Sequence, residues 1–486
     1  MKITVLIRDL FIFSIVLLIP SHQLYSQLFI SSGSMLSLSG NSVLYTSSNV
    51  INQGTVNLNT GTMVLGGNLT DNGNFNAGSG GKLKFSGNNS QELMLASSAS
   101  LDQVILEKTS DQVVLNSKIP KVESLTLNGG RLVIANFDLS ASDIQGGNAG
   151  SYIETSGNGR VALFIDSDQI RRIPVGNGSF NPVSIKNNSG VPDSFYVKVL
   201  AEVYDSGAVG NIIDRERVKR TWDISRGQSD NPNQFDLVFG WQSSDKTTGL
   251  NNPSLRHFKG GYWHPQNGSY SSTDTSLNYL QYSGGLSQFS IQEYYDTKVN
   301  LKAYIQGLYD GNGLMQPALL NSDISGAEAS QADSILISVH DPSDGSLAVQ
   351  PVKTVLQTNG TATVTFPGLA GPYYLSVRHR NAIETWSYSA VEMDSSINYD
   401  FSTAASKAFG NNQAELGNGL FGFYSGDVNQ DGAIESSDYS IMENDVISIL
   451  FGYMSTDLTG DGSVESSDYA LMENNIIRLI FVQRPF

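Results

Sequence analysis

Cysteine is absent from the 486-residue sequence, which excludes disulfides, thiolate metal ligands and cysteine nucleophiles. Histidine is scarce, and the five residues are too scattered for a zinc site: His22, His257, His264, His340 and His379. The sequence also lacks a Gly-x-Ser-x-Gly elbow, a metalloprotease helix motif and a phosphate-binding loop. No motif singles out a pair of carboxylates for glycoside hydrolysis. We therefore predict no catalytic residue and no enzymatic activity.

Charged residues make up only 15% of the chain, and acidic residues exceed basic ones so that the net charge is -17. Such a surface repels phosphate backbones, which excludes nucleic acid as a partner, and it attracts divalent cations. Polarity comes instead from serine, asparagine, threonine and 48 glycines. Glycine and asparagine accept the backbone conformations of tight turns, so this composition favours short strands joined by turns.

The first residues have the pattern of an export signal. Lys2 and Arg8 provide positive charge, and residues 11–19 form an apolar run too short to remain as a membrane-spanning helix. We predict a signal peptide at residues 1–26 with cleavage after Ser26. The mature protein is then extracellular or on the outer cell surface, without a transmembrane span.

Residues 27–150 contain many short segments of alternating apolar and polar residues, such as 55–58 and 82–85. Glycine- and asparagine-rich turns, such as residues 71–74, separate them. This pattern predicts strands, arranged as a β-solenoid or as an irregular β region. The stretch resembles the filamentous, adhesin-like regions of bacterial surface proteins.

Residues 151–296 have longer strands and more aromatic residues, which predicts an antiparallel β-sandwich. Trp222, Trp241 and Trp263 lie in this region. Large aromatics mostly serve burial, so we interpret the tryptophans as core residues. Trp241 and Trp263 could alternatively stack on sugars, a hypothesis that their burial would exclude.

Residues 297–425 predict a smaller, Ig-like β-sandwich, with residues 405–422 as a polar connector at its end. The segment 377–386 resembles a segment that precedes a calcium module in modular surface proteins of Bacteroidota. Within it, His379 stands between two arginines. No nucleophile or orienting carboxylate surrounds it in a recognisable motif, so we interpret His379 as an outward-facing strand residue.

Two segments with the same twelve-residue pattern lie 30 residues apart, at 427–438 and 457–468. Each has oxygen-bearing side chains at positions one, three and five, glycine at six, an apolar residue at eight and an acid at twelve, as calcium loops do. The predicted ligands of the first loop are Asp427, Asn429, Asp431, the carbonyl of Ala433, Glu435 (directly or through water) and Asp438. Those of the second are Asp457, Thr459, Asp461, the carbonyl of Ser463, Glu465 and Asp468. The pattern predicts two bound calcium ions, the second held more weakly because Thr459 is a poorer ligand.

A single helix is predicted after each loop, at residues 439–450 and 469–480, and the twelfth loop residue is aspartate in both. With these features, residues 426–486 resemble a type I dockerin, a paired calcium module of the EF-hand type. The helices are predicted to pack through Ile441, Val446, Ile447, Leu450, Leu471, Ile476 and Leu479.

The resemblance to dockerins implies a partner of the cohesin type. It places partner contacts at Ser436, Ser437, Ser466 and Ser467, whose identity in the two halves would permit binding in either of two orientations. An alternative interpretation is that these serines only cap the following helices.

Together these features predict a mainly β protein: a solenoid-like region, two sandwiches and a small helical calcium domain. They favour an exported structural or adhesive surface protein that docks or anchors through its calcium module. The alternative is a component of extracellular polysaccharide degradation, catalytic or carbohydrate-binding, with a glycan as ligand.

Overall fold

The structure, a computed structural model, describes residues 27–228, 232–266, 268–369 and 371–486. The predicted signal peptide, residues 1–26, lies outside the described residues. The chain divides into two compact units, the first ending at Glu293 and the second running from Tyr294 to Phe486. Over the described part of the chain, every helix is too short or too polar to cross a membrane.

The first unit starts with short parallel strands that stack into a three-walled coil, which confirms the β-solenoid. Its strands are β1 (Gln27–Ile30), β2 (Met35–Ser37), β3 (Val43–Thr46), β4 (Asn49–Asn52), β5 (Thr55–Asn57), β6 (Thr62–Leu65), β7 (Leu69–Asp71), β8 (Asn74–Asn76), β9 (Lys82–Gly87), β10 (Gln91–Met94), β11 (Gln103–Leu115), β12 (Val122–Val133), β13 (Leu139–Gly146) and β14 (Ile153–Glu154). The walls begin as β1-β4-β7-β10, β2-β5-β8 and β3-β6-β9, with every pairing parallel. The long strand β11 pairs with both β9 and β10, so it joins two walls.

Aliphatic side chains of successive rungs stack on one another along the inside of the walls. Val50 pairs with Leu69, and Leu69 pairs with Leu93, and all three side chains are almost fully buried. Between the walls the chain turns so closely on the preceding rung that a Cβ at Gly73 would lie 2.3 Å from the carbonyl oxygen of Gly54. The alternation of apolar residues and the glycine turns in the sequence therefore have one cause, the stacking of successive rungs.

The stack continues beyond residue 150, the predicted boundary, and passes into a β-sandwich. The remaining strands of the first unit are β15 (Val161–Ile165), β16 (Ile170–Ile173), β17 (Val175–Gly176), β18 (Val183–Asn187), β19 (Asp193–Leu200), β20 (Arg217–Arg226), β21 (Phe235–Gly240), β22 (Pro253–Lys259), β23 (Tyr262–Pro265), β24 (Tyr270–Ser272), β25 (Ser276–Tyr282) and β26 (Gln288–Glu293). Strand β14 pairs in parallel with β17, whereas β15 pairs in parallel with β13 and antiparallel with β19. One continuous sheet thus changes from parallel to antiparallel pairing.

In the sandwich, the antiparallel part of this sheet faces a five-stranded sheet of order β16-β18-β21-β25-β24. Trp222 lies edge-on to Phe239, with ring centroids 5.2 Å apart, in the core between the sheets. Trp241 and Trp263 are 2% and 7% exposed, and their indole nitrogens donate hydrogen bonds to backbone carbonyls. Their burial excludes the hypothesis that these two rings form a sugar-stacking platform.

The second unit combines a second sandwich with the C-terminal helices. Its elements are β27 (Thr297–Lys302), α1 (Ala318–Asn321), β28 (Gln331–His340), β29 (Val352–Gln357), β30 (Thr361–Phe366), β31 (Gly371–His379), β32 (Ala382–Trp386), β33 (Val391–Met393), β34 (Ser396–Asp400), β35 (Ala414–Gly417), β36 (Leu420–Gly422), α2 (Ser436–Ile447) and α3 (Ser466–Ile476). Sheets β30-β27-β34 and β29-β28-β31-β32 enclose the core. The predicted connector, residues 405–422, folds into two short 3-10 helices and the β35–β36 hairpin. Phe423, directly after it, is 1% exposed in the sandwich core.

His379 is buried, and its predicted outward orientation was wrong. It is 3% exposed, and its Nε2 lies 3.0 Å from Oδ2 of Asp333, which also accepts a hydrogen bond from Arg380. His379 and Arg380 hold the pKa of Asp333 far below its usual range, against a desolvation effect that acts in the opposite direction. His379 lies on the same buried face of β31 as Leu375 and Val377, with the exposed Arg378 between them, so the regular alternation of the strand places His379 inward and Arg378 outward.

Candidate metal centre

The C-terminal part of the second unit consists of two loop–helix halves whose equivalent residues are 30 positions apart. In the first half, Glu435 adopts the extended conformation of a helix N-cap, and Asp438 accepts a hydrogen bond from the Glu435 amide. In the second half, Glu465 and Asp468 make the same reciprocal cap. The helices therefore begin immediately after these glutamates, three residues earlier than the loop pattern predicts, because the ninth loop residue is the N-cap and the twelfth is its partner in the first helical turn.

Both helices also end earlier than predicted. After α2, Ile449 adopts a left-handed backbone conformation with φ 51°, and after α3, Leu479 does so with φ 54°. Such a residue ends a helix because it turns the chain away from the helix axis. Apolar periodicity alone does not show this stop, because neither position carries the usual glycine.

The packing between the helices differs from the prediction in part. Met442 and Met472 are fully buried and form the centre of a small core with Val428, Leu458 and Val464. Val446, Leu450, Leu471 and Ile476 pack against this core, as predicted. Ile441, Ile447 and Leu479, by contrast, are 37%, 73% and 70% exposed. A comparison of the two halves could have found the methionines, since methionine recurs after 30 residues at a helix position beside the loop.

The first and twelfth residues of each loop are brought together and buried. Asp427 is 2% exposed, and Asp438, Asp457 and Asp468 are fully buried. The Asp438 carboxylate accepts hydrogen bonds from the backbone amides of Val428, Asn429 and Glu435. The Asp468 carboxylate accepts hydrogen bonds from the backbone amides of Thr459 and Glu465. The sixth residues, both glycine, have φ near 90°, which permits the sharp turn of each loop.

Five of the other predicted ligands are exposed at the rim of the loops, whereas Ala433, Thr459 and Ser463 are half-buried. Asp431 and Asp461 are exposed, and each caps its own loop by accepting the amide two residues ahead. Asn429 donates a hydrogen bond to Asp431. Glu435 and Glu465 are exposed, as are Ser436, Ser466 and Ser467, while Ser437 is half-buried. Within the described residues, no three His, Cys, Asp or Glu side chains converge as a metal-ion cluster.

Two buried oxygen atoms in the loops show that the residues fit a cation. Oδ1 of Asp427 and Oγ1 of Thr459, at positions one and three of the two loops, are buried without a hydrogen-bond partner. A buried polar atom without a partner is costly, and a calcium ion is bound by oxygen atoms of these types.

The raised pKa values of the buried loop carboxylates also indicate a cation site. Burial, together with the charges of Asp438 and Asp431, raises the pKa of Asp427 to about 7. Burial raises the pKa of Asp457 to about 6, although the nearby Arg380 acts in the opposite direction. Burial also raises the pKa of Asp438. These ionised carboxylates are unfavourable in the folded loops, and a divalent cation would remove the penalty.

Each loop is closed by the segment that follows the helix of the other half. We call these segments the straps: residues 448–454 and residues 478–484. The Val464 amide donates to the Leu450 carbonyl at 3.0 Å, and the Ile434 amide donates to the Ile480 carbonyl at 2.9 Å. Phe451 pairs with Ser463, and Phe481 with Ala433, as antiparallel bridges. The straps therefore fix the backbone at the seventh position of each loop, where the carbonyl ligand is predicted.

Equivalent helix positions of the two halves present the same side chains to solvent. These exposed pairs are Ser436 and Ser466, Glu443 and Glu473, Asn444 and Asn474, and Ile447 and Ile477. Ile447 and Ile477 are 73% and 77% exposed. We call this set, with Ser437 and Ser467, the repeated face.

Residues 425–477 match the family model of the dockerin type I domain. This part of the chain is therefore a dockerin type I domain, a calcium-binding module at the C-terminal end. Searches of curated proteins and of solved structures returned no match for the chain. The match does not reach residues 377–386, so the resemblance of that segment to surface proteins of Bacteroidota stays a prediction.

Proposed function

We propose that the dockerin type I domain docks an exported, β-rich protein to a cohesin-like partner in a calcium-dependent manner. The observation that carries this proposal is the repeated face, in which two halves with the same exposed side chains surround large exposed isoleucines. Exposed apolar residues of this size, framed by polar ones, are typical of protein interaction sites.

In this proposal the domain holds two calcium ions, one in each loop. The ligands are those of the loop pattern: Asp427, Asn429, Asp431, Ala433, Glu435 and Asp438 in the first, and Asp457, Thr459, Asp461, Ser463, Glu465 and Asp468 in the second. The unpartnered oxygens of Asp427 and Thr459 support the assignment, as does the raised pKa of Asp427 and Asp457. When bound, calcium supplies positive charge that lets the buried carboxylates stay ionised in the folded loop.

The repeated face supports a partner that buries apolar side chains and forms hydrogen bonds with the serines. Because equivalent residues are the same in both halves, a half-turn of the domain would offer the partner nearly the same surface. Either Ile447 with Ser436 and Ser437, or Ile477 with Ser466 and Ser467, could then occupy the central position. The serines do not supply the N-cap oxygens, since Glu435 and Glu465 stand at the N-caps.

The experiment is a binding measurement between the full chain and a panel of purified type I cohesin modules, with calcium and with a chelator. We expect binding only with calcium. A charge at a central interface position costs about 2 kcal/mol or more, roughly 30-fold in affinity. Ile447→Glu or Ile477→Glu alone should therefore weaken binding only about two-fold, because the other orientation remains, whereas the double variant should lose binding.

Ile170→Glu is the matched control, since Ile170 is 59% exposed and lies on a strand of the first unit. Binding that persists in chelator, or a double variant that binds as well as the wild type, would contradict docking through this face. If the chain binds calcium but no cohesin module of the panel, the proposed partner class is wrong.

For the rest of the chain we propose a structural or adhesive role at the cell surface, without catalysis. The solenoid and the two sandwiches support a scaffold. The role in polysaccharide degradation rests on the family context of dockerins alone, since Trp241 and Trp263 are buried. Release of reducing sugar from common plant and microbial polysaccharides by the full chain would overturn the non-catalytic role.

A further inference from the structure

The turn between β31 and β32 lies between the two calcium loops. Asn381, at its tip, is fully buried. Its carbonyl accepts a hydrogen bond of 2.7 Å from the amide of Gly426, the residue before the first loop. Its side-chain Nδ2 donates a hydrogen bond of 2.9 Å to the carbonyl of Asp457, the first residue of the second loop. One residue of the sandwich thus fixes the backbone beside the first ligand position of both loops.

The preceding residue, Arg380, connects the same turn to the second loop and to the first strap. Its Nε donates to Oδ2 of Asp333 at 2.8 Å, which anchors the guanidinium in the sandwich. Its Nη2 lies 3.9 Å from Oδ2 of Asp457. The guanidinium also lies 4.6 Å from the centre of the Tyr453 ring and donates to the Met454 carbonyl.

The following residues contact the first loop. The carbonyl of Ala382 accepts a long hydrogen bond, 3.4 Å, from the side chain of Gln430, the fourth residue of that loop. Ile383 is fully buried and packs in one cluster with Ile434 of the loop and Ile480 of the second strap. The turn therefore touches both loops and both straps, and three of its contacting residues, Asn381, Ala382 and Ile383, are fully buried.

We infer that the β31–β32 turn positions both calcium loops, with Asn381 as the main positioning residue, so that calcium binding and the packing of this hairpin stabilise each other. The inference rests on the calcium binding assumed in the proposed function. It gives the segment 377–386 a role, which its sequence alone does not show. Groups that orient metal ligands commonly change metal affinity about 10- to 100-fold when they are removed, and coupling of this kind acts in both directions.

The first test is calcium titration by calorimetry of the full chain carrying Asn381→Ala. We expect the affinity of at least the second loop to fall about tenfold. The matched control is Asn300→Ala, which removes a side-chain hydrogen bond of 3.1 Å to Asn398 on an exposed sheet face. The control should bind calcium as the wild type does.

The second test needs no variant, so it stands even if Asn381→Ala does not fold. Hydrogen exchange of the wild-type full chain is compared with calcium and with chelator. Peptides that contain residues 379–384 should gain at least tenfold protection with calcium, while those of β18 and β21 in the first unit should not change.

Calcium binding by the wild type with no change in exchange of the β31–β32 hairpin would overturn the inference and leave the proposed function intact. Equal calcium affinities of wild type and a folded Asn381→Ala variant would do the same. Failure of the wild type to bind calcium would overturn both.

Discussion

The two halves of the dockerin domain are alike in sequence and unlike in surroundings. On α3, Asn475 is fully buried and donates hydrogen bonds of 2.7 Å to Gln306 and to the Ser425 carbonyl. Its equivalent on α2 is Asp445, which is half-buried and accepts a hydrogen bond from Thr456 within the domain. The sandwich thus packs on one helix at a position where the other helix is partly open to solvent.

The second calcium loop also packs closely against the sandwich. A side chain at Gly460 of the second loop would collide with Leu308 and Ala318 of the sandwich, and Asn321 donates a hydrogen bond of 2.8 Å to the Gly460 carbonyl. Arg380 acts against the rise that burial causes in the pKa of Asp457, whereas burial and the charges of Asp438 and Asp431 together raise the pKa of Asp427. A duplicated sequence therefore does not give duplicated environments, because the neighbouring domain packs on one copy more than on the other.

Removing calcium should have the largest effect on stability and should reveal the difference between the halves. At a calcium concentration a thousand times Kd, each occupied loop gains about 4 kcal/mol of stability. We expect chelator to abolish exchange protection in both helices, with the second half losing it more slowly because the sandwich supports it. Hydrogen exchange of the full chain measures this, with the solenoid peptides as the internal control. Loss that is faster in the second half would contradict the comparison.

Asn475→Asp should have the next largest effect. It gives the second helix the residue of the first, but in a buried position that faces two carbonyl-type acceptors. A buried charge without a partner costs about 3–5 kcal/mol. Asp445→Asn, the reciprocal change, should cost less than about 1 kcal/mol because the site is partly solvated.

Thermal unfolding of the full chain in saturating calcium would measure both variants. Similar losses of stability would show that the two helices have equivalent surroundings, contrary to the structure.

Alanine at the sixth loop position should destabilise the two loops by different amounts, and this difference in stability should be smaller than that for the preceding pair of variants. Gly432 and Gly462 both have φ near 90°, so Cβ strain costs each about 1–2 kcal/mol. At Gly462 the new Cβ would also lie 2.4 Å from the Asn321 carbonyl, whereas at Gly432 it would meet only the side chain of Val482 at 3.0 Å. Gly462→Ala should therefore cost about 1–3 kcal/mol more than Gly432→Ala. Denaturant unfolding in calcium tests the order of the two.

The smallest expected effect comes from the third loop position, where the first loop has Asn429 and the second has Thr459. Thr459→Asn should tighten calcium binding by the second loop about fivefold, roughly 1 kcal/mol, because an amide oxygen is the better ligand. Calorimetry resolves the two sites, and Thr365→Asn, at an exposed position of β30 outside the loops, is the control. No gain in affinity would mean that the sandwich, not the ligand, limits the second site.

The sequence allowed the loops to be predicted because calcium ligands lie at fixed local spacing, so Asp427 and Asp438 come together through the loop alone. The β-solenoid was predictable for a similar reason: alternation and glycine turns repeat with each rung. Both signals come from contacts between residues close in the chain or from short repeats.

What the sequence did not show depends on contacts between distant residues. Nothing around Asn381 marks it as a neighbour of Asp457, which lies 76 positions away. His379 looked exposed because its partner, Asp333, is on another strand. Ile447 and Leu479 were assigned to the helix core because they are apolar. Ile447 is the last residue of α2 and Leu479 lies beyond the end of α3, and both side chains are exposed.

The reciprocal straps have a consequence for fragments of the domain. Each half carries the segment that closes the loop of the other half, so neither half holds a closed loop alone. A chain cut after Met454 would leave two pieces that complete each other, and calcium would determine whether they stay together. In this sense the domain is a natural split protein, whose reassembly could report calcium without any partner.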